Sequence, residues 1–340
     1  MWGMSKRRVI VVVTLMLIFS LVLGAFSFGL LFNPLNKVKK KHIDIMKLSC
    51  VDVDGYVNIA LLGVDSRKMN KKGIKNSRTD AIIIVSINTK TKEVSLISVY
   101  RDTYTQLGET STYQKINAAF NYGGPEMTLK TLNRTMDLNI QNYVLFNFRM
   151  VADLVDAVGG IEVNVTRAEI NELNKYTKAT ARNIGKKSYH LAKAPGRQTL
   201  EGVQAVSYGR IRKGVGDDFK RTNRMRIVIG KVTKKLKQMN FSQILKIMNK
   251  CLPQIETSLS NDDMIGLAQR LRKMEIEKST GWPYNVTTGS LNGVSYVFPV
   301  DLKANVIRLH ESMFGQKGYQ VSDANASIAA NVDAAAASAR

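Results

Sequence analysis

Cysteine, histidine and acidic side chains are the scarce materials of this 340-residue chain. Its two cysteines, Cys50 and Cys251, lie far apart and form no CxxC, which excludes thiolate metal clusters and a redox dithiol motif. In an oxidising compartment the two could pair, and a Cys50–Cys251 bond is the slightly favoured expectation. The three histidines, His42, His190 and His310, are scattered, so a histidine-rich zinc site or a Ser–His triad has little support. Acidic residues number 27 against 50 Lys and Arg, leaving a formal net charge of +23. That excess calls for an anionic partner: nucleic acid, an anionic membrane or wall polymer, or a phosphorylated substrate.

What is present begins with an apolar run from Val9 to Phe32 that contains no charge. It is long enough to cross a bilayer as a helix. A cleaved signal peptide is the competing reading, but the run exceeds a usual h-region and lacks a clear A-x-A site near its end. Lys6, Arg7 and Arg8 precede it, favouring a cytoplasmic N-terminus, although Lys37, Lys39, Lys40 and Lys41 follow and weaken the asymmetry. The expected organisation is therefore a cytoplasmic start (1–8), a transmembrane helix (9–32), a juxtamembrane linker (33–52), an extracytoplasmic domain (53–315) and an Ala-, Ser- and Asn-rich tail (316–340). Such a tail is expected to add little core.

Within the domain, Val57–Val64, Ala81–Ile87 and Val94–Tyr100 are apolar at nearly every position, as in strands covered on both faces. NTKTKE, between the latter two, reads as a tight turn. Further strands are expected at Tyr143–Phe146, Ile161–Val165 and Ser295–Pro299, and helices at Glu126–Asp137, Met150–Val158, Glu201–Tyr208, Thr222–Met239 and Asn305–Met313. The polar stretch from about Arg167 to Arg197 reads as a long surface loop with room for a helix. The sum is one α/β domain with helices on both sides of a mixed sheet.

Arginine and aspartate gather where these strands end. Asp65 follows the first strand; Arg78 and Asp80 bracket the start of the second; Arg101 and Asp102 follow the third. Arg210, Arg212, Asp218, Arg221 and Arg224 form a later group, and Lys115 precedes Ile116-Asn117-Ala118. Guanidinium groups bind phosphate bidentately, and ligands of α/β sheets bind at strand ends. Paired carboxylates such as Asp65 and Asp80 offer the hard oxygens that Mg2+ prefers. Taken singly, each aspartate reads equally as a turn former, a helix cap or an arginine partner. The apolar face at Phe241–Met248 reads as core, though a lipid tail would need such a lining.

In order, the segments NIALLGVDSR, SRTDAIIIVSINTKTKEVSLISVYRDT, YQKINAAFNYGG, DLVDAVGGIEVNV, LEGVQAVSYGRIR and DDFKRTNRM resemble the LytR–CpsA–Psr family of cell-wall enzymes. The likeness runs from near Asn58 to at least Lys235. It implies an α/β/α sandwich with a mixed central sheet and a long apolar pocket for a polyprenyl chain. It also implies a phosphotransferase that moves a glycopolymer of teichoic acid or capsular type from a polyprenyl-pyrophosphate carrier to a peptidoglycan hydroxyl, releasing polyprenyl phosphate. By motif, Asp65 and Asp80 correspond to acids associated with Mg2+ or Mn2+. Arg78, Arg101, Arg210, Arg212 and Arg221 correspond to pyrophosphate-binding groups, with Asp218 orienting Arg221; Lys115, read from its own charge and place, is a further pyrophosphate-binding candidate. Asp80, Arg101 and Asp102 are the catalytic candidates. Met225 stands where the family often has glutamine.

The partners implied are the lipid-linked polymer, peptidoglycan and membrane lipid. Two other classes compete: a non-catalytic glycopolymer-binding protein, and a membrane-linked transcription regulator. No helix-turn-helix or aromatic-interleaved basic motif supports nucleic acid, and an extracellular domain would not meet DNA.

Overall fold

The computed structural model describes residues 34–65, 77–211, 218–271 and 276–339. The expected transmembrane helix at 9–32 lies outside the described residues, and among these no helix is long and apolar enough to cross a membrane.

In chain order the strands are β1 (Lys39–Lys40), β2 (Tyr56–Val64), β3 (Thr79–Asn88), β4 (Val94–Val99), β5 (Tyr104–Gln106), β6 (Tyr113–Lys115), β7 (Ile140–Asn147), β8 (Ile161–Val165), β9 (Gly196–Leu200), β10 (Glu256–Thr257), β11 (Ile276–Trp282), β12 (Val286–Leu291) and β13 (Val294–Pro299). The helices are α1 (Ala119–Met136), α2 (Phe148–Ala157), α3 (Arg167–Ile184), α4 (Gly202–Tyr208), α5 (Asp218–Leu236), α6 (Phe241–Cys251), α7 (Asn261–Leu271), α8 (Leu302–Phe314) and α9 (Asp323–Ser338). The largest sheet has the order β1-β10-β7-β2-β3-β4-β11. It is mixed, with β1–β10 parallel and β3–β4 antiparallel, so the α/β class expected from the apolar strands holds.

Two compact units divide the chain: 1–41, 64–74 and 145–277 in the first; 42–63, 75–144 and 278–340 in the second.

In the second unit, β3 and β4 pair from Ile82↔Val99 to Ile87↔Val94, and every residue of β4 is buried. The turn between them is set by Asn88, whose Oδ1 accepts from Lys90 N (2.9 Å) and Thr91 N (3.0 Å), the self-bonding that makes Asn a turn former. β12 and β13 form a hairpin across Asn292-Gly293, both with positive φ (51° and 76°), as the right-handed twist of a two-residue hairpin requires. Helix α1 kinks where Gly124 takes φ 66° before Pro125.

The Ala-rich tail departs from expectation. Residues 323–338 form α9, with Ile328, Ala329, Val332 and Ala336 buried. Ser322 opens it, accepting from Asn325 N at 3.1 Å, while its own N and Oγ donate to Asp137 at 2.8 and 2.7 Å. Small residues on one helix face pack closely against α1, β5 and β13, so bulk apolar content was not needed.

In the first unit, α2 and α4 meet at a point where only glycine fits: a Cβ on Gly202 would sit 2.1 Å from the Ala152 carbonyl. Phe148, Ala152, Ala181, Ile184, Val203 and Val206 form the core around that junction. The expected loop between Arg167 and Arg197 is mostly α3, followed by β9, which pairs with β8. The expected linker contributes structure as well: Leu35 and Val38 are buried and β1 pairs with β10.

The cysteines do not form a disulfide; Cys50 is exposed and Cys251 buried. Burial, with a smaller push from the Asp153 charge, raises the Cys251 thiol to about 12.

Candidate functional site

Within the second unit, β4 delivers a tight turn at Tyr100–Thr103. Thr103 donates to the Tyr100 carbonyl from both N (3.0 Å) and Oγ1 (2.6 Å). Asn117 N and Ile116 N donate to the carbonyls of Arg101 (3.2 Å) and Thr103 (2.7 Å), and Val297 N to that of Asp102 (2.9 Å). Backbone from two other segments thus fixes the turn that carries Arg101 and Asp102.

The charges interlock on that turn. Arg101 Nη1 donates to Asp80 Oδ1. Asp102 Oδ1 lies 3.6 Å from Arg101 Nε and 3.3 Å from Lys115 Nζ. These side chains are only 11–20 % exposed, so water screens the pairs weakly and the cations stay oriented. Lys115 also sits 5.5 Å from the centre of the Tyr296 ring. Gln114 Oε1 ties strand to ring, accepting from Lys115 N (2.9 Å) and from the Tyr296 hydroxyl (3.1 Å). Burial pushes the Tyr296 phenol up, against the opposing charge of exposed Arg78 and the Gln114 hydrogen bond.

Within the first unit, Asp65 closes β2. Its Oδ2 accepts from Arg210 Nη2 at 2.9 Å, and its Oδ1 from Asn183 Nδ2. Arg210 Nη1 donates to Thr180 Oγ1 at 2.9 Å, and its guanidinium lies over the Phe148 ring at 4.7 Å. Both Thr180 and Asn183 belong to α3.

Arg224 is a structural residue of this unit. At 5 % exposure its Nε donates to Glu169 Oε1 (2.8 Å) and its Nη1 to the Ile211 carbonyl (3.1 Å). Glu169 Oε2 meanwhile accepts from Thr166 N (2.9 Å) and Thr166 Oγ1 (3.0 Å) at the start of α3. Burial acts to raise the Glu169 carboxyl, but the hydrogen bonds from Thr166 and Arg224 outweigh it and hold it below its ordinary value.

The structure therefore brings Asp80, Arg101, Asp102 and Lys115 together in one unit, with Arg78 near Tyr296, and Asp65 with Arg210 in the other. Arg221 is buried on α5. Arg212 lies outside the described residues, and Asp218 opens α5 without a described side chain. Thr180, Asn183, Glu169, Gln114 and Tyr296 escaped the sequence reading. Only the spacing Thr166-x-x-Glu169, a helix-start signature, could have announced one of them. Among the described residues no three His, Cys, Asp or Glu side chains cluster as a metal site.

Comparison with known proteins bears on what such clusters serve. The sequence model of the LytR_cpsA_psr family matches residues 32–311. The polyisoprenyl-teichoic acid–peptidoglycan teichoic acid transferase TagU of Bacillus licheniformis is 32 % identical over 270 residues, 76 % of this chain and 80 % of that protein. The crystal structure of protein gbs0355 from Streptococcus agalactiae superposes with a TM-score of 0.62 at 27 % identity, covering 78 % of this chain and 90 % of that one. A structure of TagT bound to LI-WTA gives 0.57 at 25 % identity, covering 80 % and 93 %. A match across most of the domain, together with this identity to a transferase, places the chain by descent: it belongs to the LytR_cpsA_psr family.

Proposed function

We propose that this protein is a membrane-anchored extracytoplasmic phosphotransferase that moves a glycopolymer from a polyprenyl-pyrophosphate carrier to a peptidoglycan hydroxyl. The observation that carries the reading is the interlocked Asp80–Arg101–Asp102–Lys115 cluster at a strand end. The name of the Bacillus licheniformis relative supports it, as does a related fold bound to LI-WTA. The α/β/α layering and the anchor at 9–32 belong to the same proposal.

Pyrophosphate carries several negative charges, and more accumulates on the bridging oxygen as its bond to phosphorus breaks. Arg101 and Lys115, held by Asp80 and Asp102, need no reorganisation to meet that charge. In the other unit Arg210, fixed by Asp65 and Thr180, is a preset guanidinium of the same kind, and Arg78, Arg212 and Arg221 are the remaining phosphate-binding candidates. The sugar hydroxyl attacks the polymer-linked phosphorus, the bond to the bridging oxygen breaks, and polyprenyl phosphate leaves. An aspartate of the cluster, Asp80 or Asp102, accepts the hydroxyl proton.

Mg2+ belongs to the proposal too. Asp80 in one unit and Asp65 in the other are the acids named for it; each is a carboxylate, the hard donor that suits the ion, and Mg2+ is commonly held by one or two carboxylates plus substrate phosphates. When bound it would supply positive charge to the phosphate oxygens.

The test is transfer by the purified full chain of a lipid-pyrophosphate-linked glycan to peptidoglycan, with Mg2+ and with chelator. Arg101→Ala should abolish transfer while circular dichroism shows the fold intact, and Asp80→Asn and Asp102→Asn identify the proton acceptor. Full activity of Arg101→Ala would sink the assignment. Binding of the polymer with no transfer under any condition would favour the non-catalytic reading.

A further inference from the structure

The chain's charge is divided unevenly. The first unit holds 36 Lys and Arg against 14 Asp and Glu, the second 14 against 13, so their formal net charges are +22 and +1. Part of that excess is ordered on α3. At about 100° per residue, Arg167, Asn171, Lys175, Lys178 and Arg182 fall within an arc of about 80°. All five are exposed.

No acidic residue shares the arc. Glu172 falls about 60° beyond its edge, with its carboxylate 3.8 Å from Lys175, and Glu169 points inward to Arg224. The ladder runs about 22 Å along the helix, with cations roughly a turn apart over its second half. The opposite face of the same helix supplies Thr180 and Asn183 to Arg210 and Asp65. One helix thus orders a candidate phosphate site on one side and displays a row of cations on the other.

We propose that the outer face of α3 docks the anionic polymer chain of the substrate, a repeating phosphodiester polyanion; this rests on the transferase reading above. Repeated cations suit a repeating anion, because each added pair strengthens attachment and raises the local substrate concentration. The arc carries no apolar side chain to enter a lipid surface and no aromatic ring for base stacking. A phosphate-bearing wall polymer is the occupant these features favour. Polymers without charge would gain nothing from the face.

The experiment compares the full chain in nonionic detergent with the variant Arg167→Gln/Lys175→Gln/Lys178→Gln/Arg182→Gln. Binding of free poly(glycerol phosphate) is measured from low to high salt, beside binding to mixed micelles containing phosphatidylglycerol. The variant should bind the polymer about tenfold more weakly at low salt, with a flatter salt dependence. Its micelle binding should be unchanged, as should transfer of a carrier-linked uncharged glycan.

Equal polymer affinity of variant and wild type would overturn the proposal and leave α3 a solvated face. Loss of micelle binding, with or without loss of polymer binding, would overturn the assigned occupant. Should wild type bind polymer through α3 yet transfer nothing, the transferase reading fails and the docking surface stands.

Discussion

Replacing Arg224 by alanine leaves the Glu169 carboxylate buried without its cation and the Ile211 carbonyl without a donor. The pair is tightly enclosed, with side chains 6 % and 9 % exposed and an N–O distance of 2.8 Å. Removing one partner of such a pair costs about 3–5 kcal/mol, because the remaining charge stays desolvated. For a domain of this size each kcal/mol lowers Tm by about 2–4 °C, so Arg224→Ala should unfold roughly 10 °C earlier. Thermal unfolding followed by circular dichroism on the full chain measures this. Glu169→Gln combined with Arg224→Met should recover part of the loss, since neither charge is then left alone. A Tm within about 2 °C of wild type would contradict a buried structural role, and lost transfer in that same variant would make Arg224 a substrate contact.

Other consequences can be checked as directly. The depressed Glu169 carboxyl stabilises the fold above its unfolded value of about 4.3, and this contribution disappears as pH falls through the lower folded value; Tm measured from pH 6 to 3 should fall less steeply in Glu169→Gln than in wild type. Native protein should react with one equivalent of a thiol reagent, at Cys50, and denatured protein with two, because burial raises the Cys251 thiol to about 12; no reaction in denaturant would restore the disulfide. Tyr296→Leu removes the ring near Lys115 and the hydroxyl that meets Gln114, whereas Tyr296→Phe keeps the ring. A cation–π contact contributes about 0.5–1 kcal/mol when exposed and about 2 when desolvated, and Tyr296 is buried, so the leucine variant should show a severalfold higher KM for the lipid-linked substrate than the phenylalanine variant; equal values would remove Tyr296 from the positioning of Lys115.

The strands that position the site were legible because the middles of β2, β3 and β4 are buried on both faces and therefore apolar at most positions. Helix α3 was not. Its buried face mixes Leu173, Ala181 and Ile184 with Thr177, Thr180 and Glu169, and polar groups that bond inside the protein look like surface in a sequence. Helix α9 was hidden for a related reason: alanines pack by closeness rather than bulk, and its anchor, Asp137, lies far back in the chain.

Within the site, Asp80, Arg101 and Asp102 could be read from their places beside strands. Their supports could not. Tyr296, Asn183 and Thr180 reach the clusters from distant segments, and Gln114, although it adjoins Lys115, carries no local pattern that marks it. The exposure of α3's basic ladder, likewise, becomes visible only once the stretch is known to be helical.

The central claim is that phosphorus travels with the polymer. A lipid-pyrophosphate-linked glycan carrying 32P only in the polymer-proximal phosphate tests it, with purified full chain, Mg2+ and peptidoglycan. The label should enter peptidoglycan with the glycan, while a substrate labelled in the lipid-proximal phosphate should leave all its label in polyprenyl phosphate. Glycan arriving on peptidoglycan without the polymer-proximal label would mean that the glycosidic bond had broken instead, and would contradict the account.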